Sequence, residues 1–167
     1  ADLCVHMLRD SAFLQEKDAE YVNKREARRG RPARAPLYRI EDADTVVVAL
    51  GSVLGTIKDT VDDLRKGGAK IGVLGITCFR PWPTAAVRAA LKAATRVVVL
   101  EKSLAVGLGG IVSDGVRKSL SGIALKGYTV IAGLGGRAIT CASLTGLFEQ
   151  AGRDALLRAL MTRVLDA

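Results

Sequence analysis

The sequence predicts a three-layer α/β domain, a mostly parallel sheet with helices on both faces. Two observations carry this. Short runs rich in valine and isoleucine alternate with segments of helical periodicity along most of the chain, and such alternation builds a parallel sheet through right-handed crossovers. Glycine clusters then trail two of those runs, Gly107-Leu108-Gly109-Gly110 and Gly133-Leu134-Gly135-Gly136-Arg137. Glycine tolerates φ > 0 and lets another backbone or ligand approach closely. Loops of this kind at strand ends mark the edge where α/β sheets collect ligands and partners. The 167 residues suffice for one domain with a real core.

Each element follows from the residues in order. Thr45–Leu50 is a continuous β-branched run between Asp44 and Gly51, expected as a strand buried on both faces. Val53–Lys66 sets Ile57, Val61 and Leu64 at helical spacing with Asp59, Asp62, Asp63 and Lys66 outside, and Gly67-Gly68 stops it. Ile71–Ile76 is the second strand, ended by Phe79-Arg80-Pro81-Trp82-Pro83, where proline forbids continuation. Thr84 caps the next helix, with Val87 and Leu91 on its buried face. The third strand is expected over 96–100, its helix over 111–120 and the fourth strand over 129–134. Residues 144–148 and 156–164 close the chain helically. Residues 1–37 stand outside the repeat as a basic extension or linker, leaving 38–167 as the domain.

The net charge of +8 is unevenly placed. Residues 24–39 hold seven basic residues and one acidic one, Glu26, so that stretch carries +6 and the remainder +2. With Gly30, Pro32 and Pro36 inside it, it reads as a linker or arm. Such an arm can bind nucleic acid, but the domain lacks the interleaved aromatics that stack bases, which makes nucleic acid the weaker partner class. Cys4, Cys78 and Cys141 are odd in number and far apart. They form neither a disulfide framework nor a metal motif and are expected as reduced, partly buried thiols. No apolar run approaches the roughly 18 residues of a membrane span, and no secretory signal pattern opens the chain, so cytoplasmic residence is expected. The start at Ala1 points to a piece of something longer.

Catalytic motifs are sparse. Gly133-Leu134-Gly135-Gly136-Arg137-Ala138 matches G-x-G-x-x-A literally, but it follows the last strand, whereas a dinucleotide fingerprint must follow the first strand of its βαβ unit. His6 is the only histidine and lies outside the repeat, so a histidine-based nucleophile system is unavailable to the domain. No catalytic residue and no metal ligand set is expected. Arg80 and Glu101 fall at the carboxyl ends of strands, with Lys102 beside Glu101, and are expected on one sheet edge. They are candidates for holding a substrate, an anion or a partner, together with Gly107, Gly109 and Gly110. The commoner alternative for Glu101 is a surface or interface ion pair. Gly133, Gly135, Gly136 and Arg137 are the assembly candidates, because bare backbone admits close packing while arginine supplies directional, charge-assisted hydrogen bonds.

The succession Tyr38-Arg39-Ile40-Glu41-Asp42-Ala43-Asp44, the strand running into Gly51-Ser52, Phe79-Arg80-Pro81-Trp82-Pro83 and Gly133-Leu134-Gly135-Gly136-Arg137 resembles the C-terminal part of the α chain of 2-oxoacid:ferredoxin oxidoreductases. The pyruvate:ferredoxin enzymes are the best-known members. The region is similar to the transketolase C-terminal domain, and 97–101 with 107–110 looks like the strand, acid and glycine loop of that superfamily. The resemblance covers about residues 38–150. It departs after Gly-Gly-Arg, where such oxidoreductases carry Asp-[Val/Ile]-Thr and this chain has Ala138-Ile139-Thr140.

The resemblance implies a non-catalytic assembly domain of a thiamine-diphosphate-dependent enzyme, lining or abutting its active site. The parent reaction would oxidise and decarboxylate a 2-oxoacid to an acyl-coenzyme A, passing electrons to ferredoxin or a similar acceptor. Thiamine diphosphate, magnesium, an iron–sulfur cluster and coenzyme A would belong to the parent enzyme and none to this fragment. Its partners would be the other domains and subunits. The alternative is a stand-alone nucleotide- or anion-binding module that uses the 107–110 loop at a helix N-terminus.

Overall fold

The structure, a computed structural model, describes residues 37–152 except 78, 81 and 108. Expected elements beyond them, including the helix over 156–164 and the arm up to residue 36, lie outside the described residues. In order the elements are β1 (Leu37–Tyr38), β2 (Thr45–Leu50), α1 (Val53–Lys66), β3 (Ile71–Ile76), α2 (Thr84–Leu91), β4 (Arg96–Glu101), α3 (Ile111–Ser119), β5 (Lys126–Ile131) and α4 (Cys141–Gly152). They form a five-stranded sheet in the order β1-β3-β2-β4-β5. β2, β3, β4 and β5 are parallel, and β1 alone is antiparallel, with Leu37 opposite Leu74.

Strand alternation sorts the core into two layers. Val47, Ala49, Val73, Val98, Leu100, Tyr128 and Val130 form one cluster with Val53, Ile57 and Val61 of α1 and Leu144, Leu147, Phe148 and Ala151 of α4. The intervening residues Val46, Val48, Leu74, Ile76, Val97 and Val99 are also buried, and the other face that they form is covered by α2 and α3, which pack on each other. Both faces of the strands are therefore dry, which is why they read as unbroken apolar runs.

Three boundaries differ from expectation. The last strand begins at Lys126, not residue 129, and ends at Ile131, because Gly133 is left-handed at φ 76° and turns the chain away. Its early half was hidden by Lys126 and Gly127, whose polarity and lack of side chain suit an edge strand exposed along one side. α4 begins at Cys141, three residues earlier than its apolar stripe, and Cys141 is exposed rather than partly buried. Thr140 and Ser143 cap this helix reciprocally, each accepting the other's backbone N–H at 3.2 and 3.1 Å. Residues 37 and 38, on either side of the expected domain boundary, form β1.

β1 is fastened to α1 by polar contacts that the sequence did not announce. The Tyr38 hydroxyl donates to Asp62 at 2.7 Å, and Arg39 pairs with the same carboxylate at 2.6 Å. Arg39 thus belongs to the domain rather than to the basic arm. Arg65 reaches from α1 to Asp42 and donates to the Ile71 carbonyl at 2.8 Å. The hydrogen bond from Tyr38, then the Arg39 charge, hold Asp62 below the usual carboxylate range. A carboxylate with a depressed folded-state pKa stabilises fully above its unfolded value, about 3.9, and loses that contribution as pH falls through the folded value. Asp62→Asn should therefore melt below the wild type at pH 7, and the gap should close below about pH 4. Thermal unfolding from pH 7 to pH 3 checks this; a gap that persists undiminished at pH 3 would remove the titration from the explanation.

Candidate functional site

β2, β4 and β5 end side by side because they are parallel, so the loops after them share one edge of the sheet. The chain leaves β2 through α1 toward β3 on one side and leaves β4 through α3 toward β5 on the other. The strand order therefore reverses between β2 and β4, the position where doubly wound sheets open a crevice. Gly51, at φ 87°, turns the chain there and Ser52 starts α1. In the sequence this Gly-Ser pair is one of the motifs of the resemblance but not one of the site candidates. Its signal is a glycine directly after the central strand.

Glu101 ends β4 and is 3% exposed, not a surface ion pair. Its Oε1 accepts the backbone N–H of Ser113 at 2.5 Å and also the Ser113 hydroxyl. Ser113 is the third residue of α3, whose N-cap, Gly110, offers no side-chain acceptor. The carboxylate thus supplies from β4 the cap that glycine cannot, at the positive end of the helix dipole. Gly110 is extended at φ −84° and ψ 141°, so backbone freedom does not explain it. Space does: a Cβ there would overlap the Glu101 carboxyl and stand 2.6 Å from the Ser113 hydroxyl. Gly107 and Gly109 serve differently, at φ 84° and 81°. They close a tight turn in which Ala105 and Gly109 exchange backbone hydrogen bonds of 2.9 and 2.8 Å.

This geometry bears on the anion-binding alternative. The N–H group of Ser113 that a phosphate would seek at the head of α3 already faces the protein's own carboxylate.

The remaining candidates divide. Lys102, next to Glu101, is exposed. The neighbouring strand end is tied in, since the Ala132 N–H donates to the Glu101 carbonyl at 2.8 Å. Beyond it Gly133, Gly135 and Gly136 all take positive φ, and Arg137 follows, exposed. A side chain at Gly135 or Gly136 would meet open space, whereas one at Gly133 would press on Ile139 at 3.1 Å. Arg80 belongs with Phe79, Trp82 and Pro83 to a unit separate from the sheet domain. Within that unit its guanidinium lies 4.3 Å from the Phe79 ring centre, and Phe79 meets Trp82 edge to face at 6.1 Å.

The loops at the carboxyl edge of the sheet domain also expose apolar side chains. Leu50, Leu104, Ile111 and Leu134 are exposed, and Val106 is 101% exposed. Sequence reasoning passed over them. Their signal is aliphatic residues inside glycine loops, where no helical or strand period can bury them.

Sheet order, crossovers and glycine-looped carboxyl edge define a doubly wound, transketolase-like α/β domain. Two solved structures share this fold. A 2-oxoglutarate:ferredoxin oxidoreductase from Magnetococcus marinus, with 2-oxoglutarate, coenzyme A and succinyl-CoA bound, superposes at TM-score 0.52 and 19% identity over 70% of this chain and 19% of that one. A split-gene transketolase, in an inactive β4 tetramer, does so at 0.56 and 19% identity over 72% and 42%. The chain belongs to the family of the pyruvate:ferredoxin oxidoreductase core domain II, whose model matches residues 43–144. It is 40% identical over 118 residues to pyruvate synthase subunit PorA of Methanosarcina barkeri. That stretch is 68% of this chain but 29% of the relative, so the chain matches under a third of that subunit's length.

Proposed function

We propose that this domain is a non-catalytic assembly element of a thiamine-diphosphate-dependent 2-oxoacid:acceptor oxidoreductase, presenting its carboxyl edge to the other domains and subunits beside the active site. The parent enzyme would convert a 2-oxoacid to an acyl-coenzyme A and pass electrons to ferredoxin or a similar carrier. One observation carries the non-catalytic role. Among the described residues Glu101 is the one buried carboxylate, and it caps α3. A carboxylate held by a helix N-terminus stabilises the fold.

The donor chemistry of the described residues does not fit an iron–sulfur cluster. Among them no three His, Cys, Asp or Glu side chains converge as metal ligands, the kind of set an iron–sulfur cluster needs. The cluster, like thiamine diphosphate, magnesium and coenzyme A, is assigned to the rest of the parent enzyme. No helix among the described residues is long and apolar enough to cross a membrane. The identity of the 2-oxoacid rests with residues elsewhere: the similar proteins just named act on pyruvate in one case and carry 2-oxoglutarate in another. The test is to compare 2-oxoacid oxidation by this chain alone with that of the assembled oxidoreductase.

A further inference from the structure

We propose that the carboxyl edge of the sheet docks an acidic protein surface with an apolar centre, contributed by a neighbouring subunit or domain of the same oxidoreductase. This rests on the assembly role proposed above and adds the chemistry of the partner.

Charge complementarity selects the occupant. The loops of the sheet domain at this edge span residues 50–55, 102–110 and 132–140, and their only charged residues are Lys102 and Arg137. Of the carboxylates nearest them, Glu101 is buried against α3, and Asp114, in the first turn of α3, pairs with Lys118 at 2.7 Å. Both cations are exposed, so nothing acidic at the edge competes for them. At the opposite edge the charge is mixed, with Glu41, Asp42 and Asp44 exposed between β1 and β2 alongside the exposed cations Lys92 and Lys126.

Apolar groups distinguish a protein partner from a free anion. Leu50 ends β2, Leu104 and Val106 follow β4, Ile111 opens α3 and Leu134 follows β5, and all five are exposed at this edge. Val106 projects wholly into solvent from a hydrogen-bonded turn, so the backbone holds it there. An exposed apolar group of this kind, rimmed by charge, is how a docking site differs from ordinary surface. The left-handed glycines Gly107, Gly109, Gly135 and Gly136 leave open space where a side chain would stand. A partner backbone can therefore approach the loops between the cations.

The experiment uses the oxidoreductase formed when this chain is co-expressed with its remaining subunits, one subunit being tagged. Lys102→Glu with Arg137→Glu should weaken retention of the chain by about tenfold or more, since two reversed charges would face carboxylates. Val106→Asp should do the same without touching either cation. Lys92→Glu, on an exposed residue at the opposite edge, should leave retention unchanged. Wild-type retention should fall as salt rises. Each variant is first shown to melt with the wild type, which separates docking from folding. If the wild type is retained and both edge variants are retained equally well, the docking surface is overturned while the assembly role stands. If the wild type itself is not retained, both fall.

Discussion

Replacing Gly110 with alanine should destabilise the domain by roughly 3–5 kcal/mol, the largest single effect expected in this chain. The new methyl would occupy the position of the Glu101 carboxyl. Overpacking of this kind costs about 1–3 kcal/mol. It would also drive a charged, buried group off the head of α3, and a hydrogen bond to a charged group contributes about 1.5–3 kcal/mol. A loss of that size lowers the melting temperature by roughly 10 °C. Gly107→Ala is the matched comparison, because its φ of 84° is strained for alanine but its Cβ would meet nothing. It should cost only about 1–2 kcal/mol. The double variant Gly110→Ala/Glu101→Ala should cost less than the sum of its parts, since both remove one interaction. A Gly110→Ala melt within about 0.5 kcal/mol of the wild type would show that α3 is not capped from β4.

Gly72→Ala should be the second-largest, at about 2–3 kcal/mol. Here the obstruction is backbone, 2.7 Å from the Arg39 carbonyl and 2.9 Å from the Ile40 Cα. Those atoms cannot rotate aside. Arg39 already holds a left-handed φ of 51°, unusual outside glycine, so the segment has little room to adjust. Displacing it would pull Tyr38 and Arg39 from Asp62. Amide exchange should then speed up first where β1 pairs with Val73. Gly146→Ala supplies the opposite sign, because that glycine lies inside α4 with open space around its Cβ. It should stabilise by about 0.5–1 kcal/mol. Should Gly72→Ala instead leave both melting and exchange unchanged, the close approach of residues 39 and 40 to β3 is not a constraint on the fold.

The sheet was legible in the sequence because burial on both faces leaves a signal in composition. Thr45–Leu50 and Ile71–Ile76 are short stretches without a charged residue, rich in valine, leucine and isoleucine, and they fold with the expected limits. β1 was not legible. Two residues carry no period, and its place depends on Gly72 and on the distant Asp62, which sequence spacing cannot connect. β5 was half legible, because an edge strand needs apolar residues on one side only.

The carboxyl edge divides in the same way. That glycines would gather there followed from their place after strands, but three separate causes lay behind one pattern. Gly107 and Gly109 answer to φ, Gly110 answers to space, and Gly133 answers to both. Glu101 was singled out by position. Its partner Ser113 lies on the next element, and only the folded chain shows that carboxylate and helix meet. The exposed aliphatics were invisible for the converse reason, since a sequence does not say which leucines remain uncovered.

The central claim, an assembly domain rather than a catalyst, is tested most directly by turnover. The purified chain is assayed with thiamine diphosphate, magnesium, coenzyme A and a viologen acceptor, separately on pyruvate and on 2-oxoglutarate, and again after assembly with the remaining subunits. The chain alone should reduce no acceptor with either substrate, and acceptor reduction should appear on assembly. Sustained reduction by the chain alone would contradict the claim.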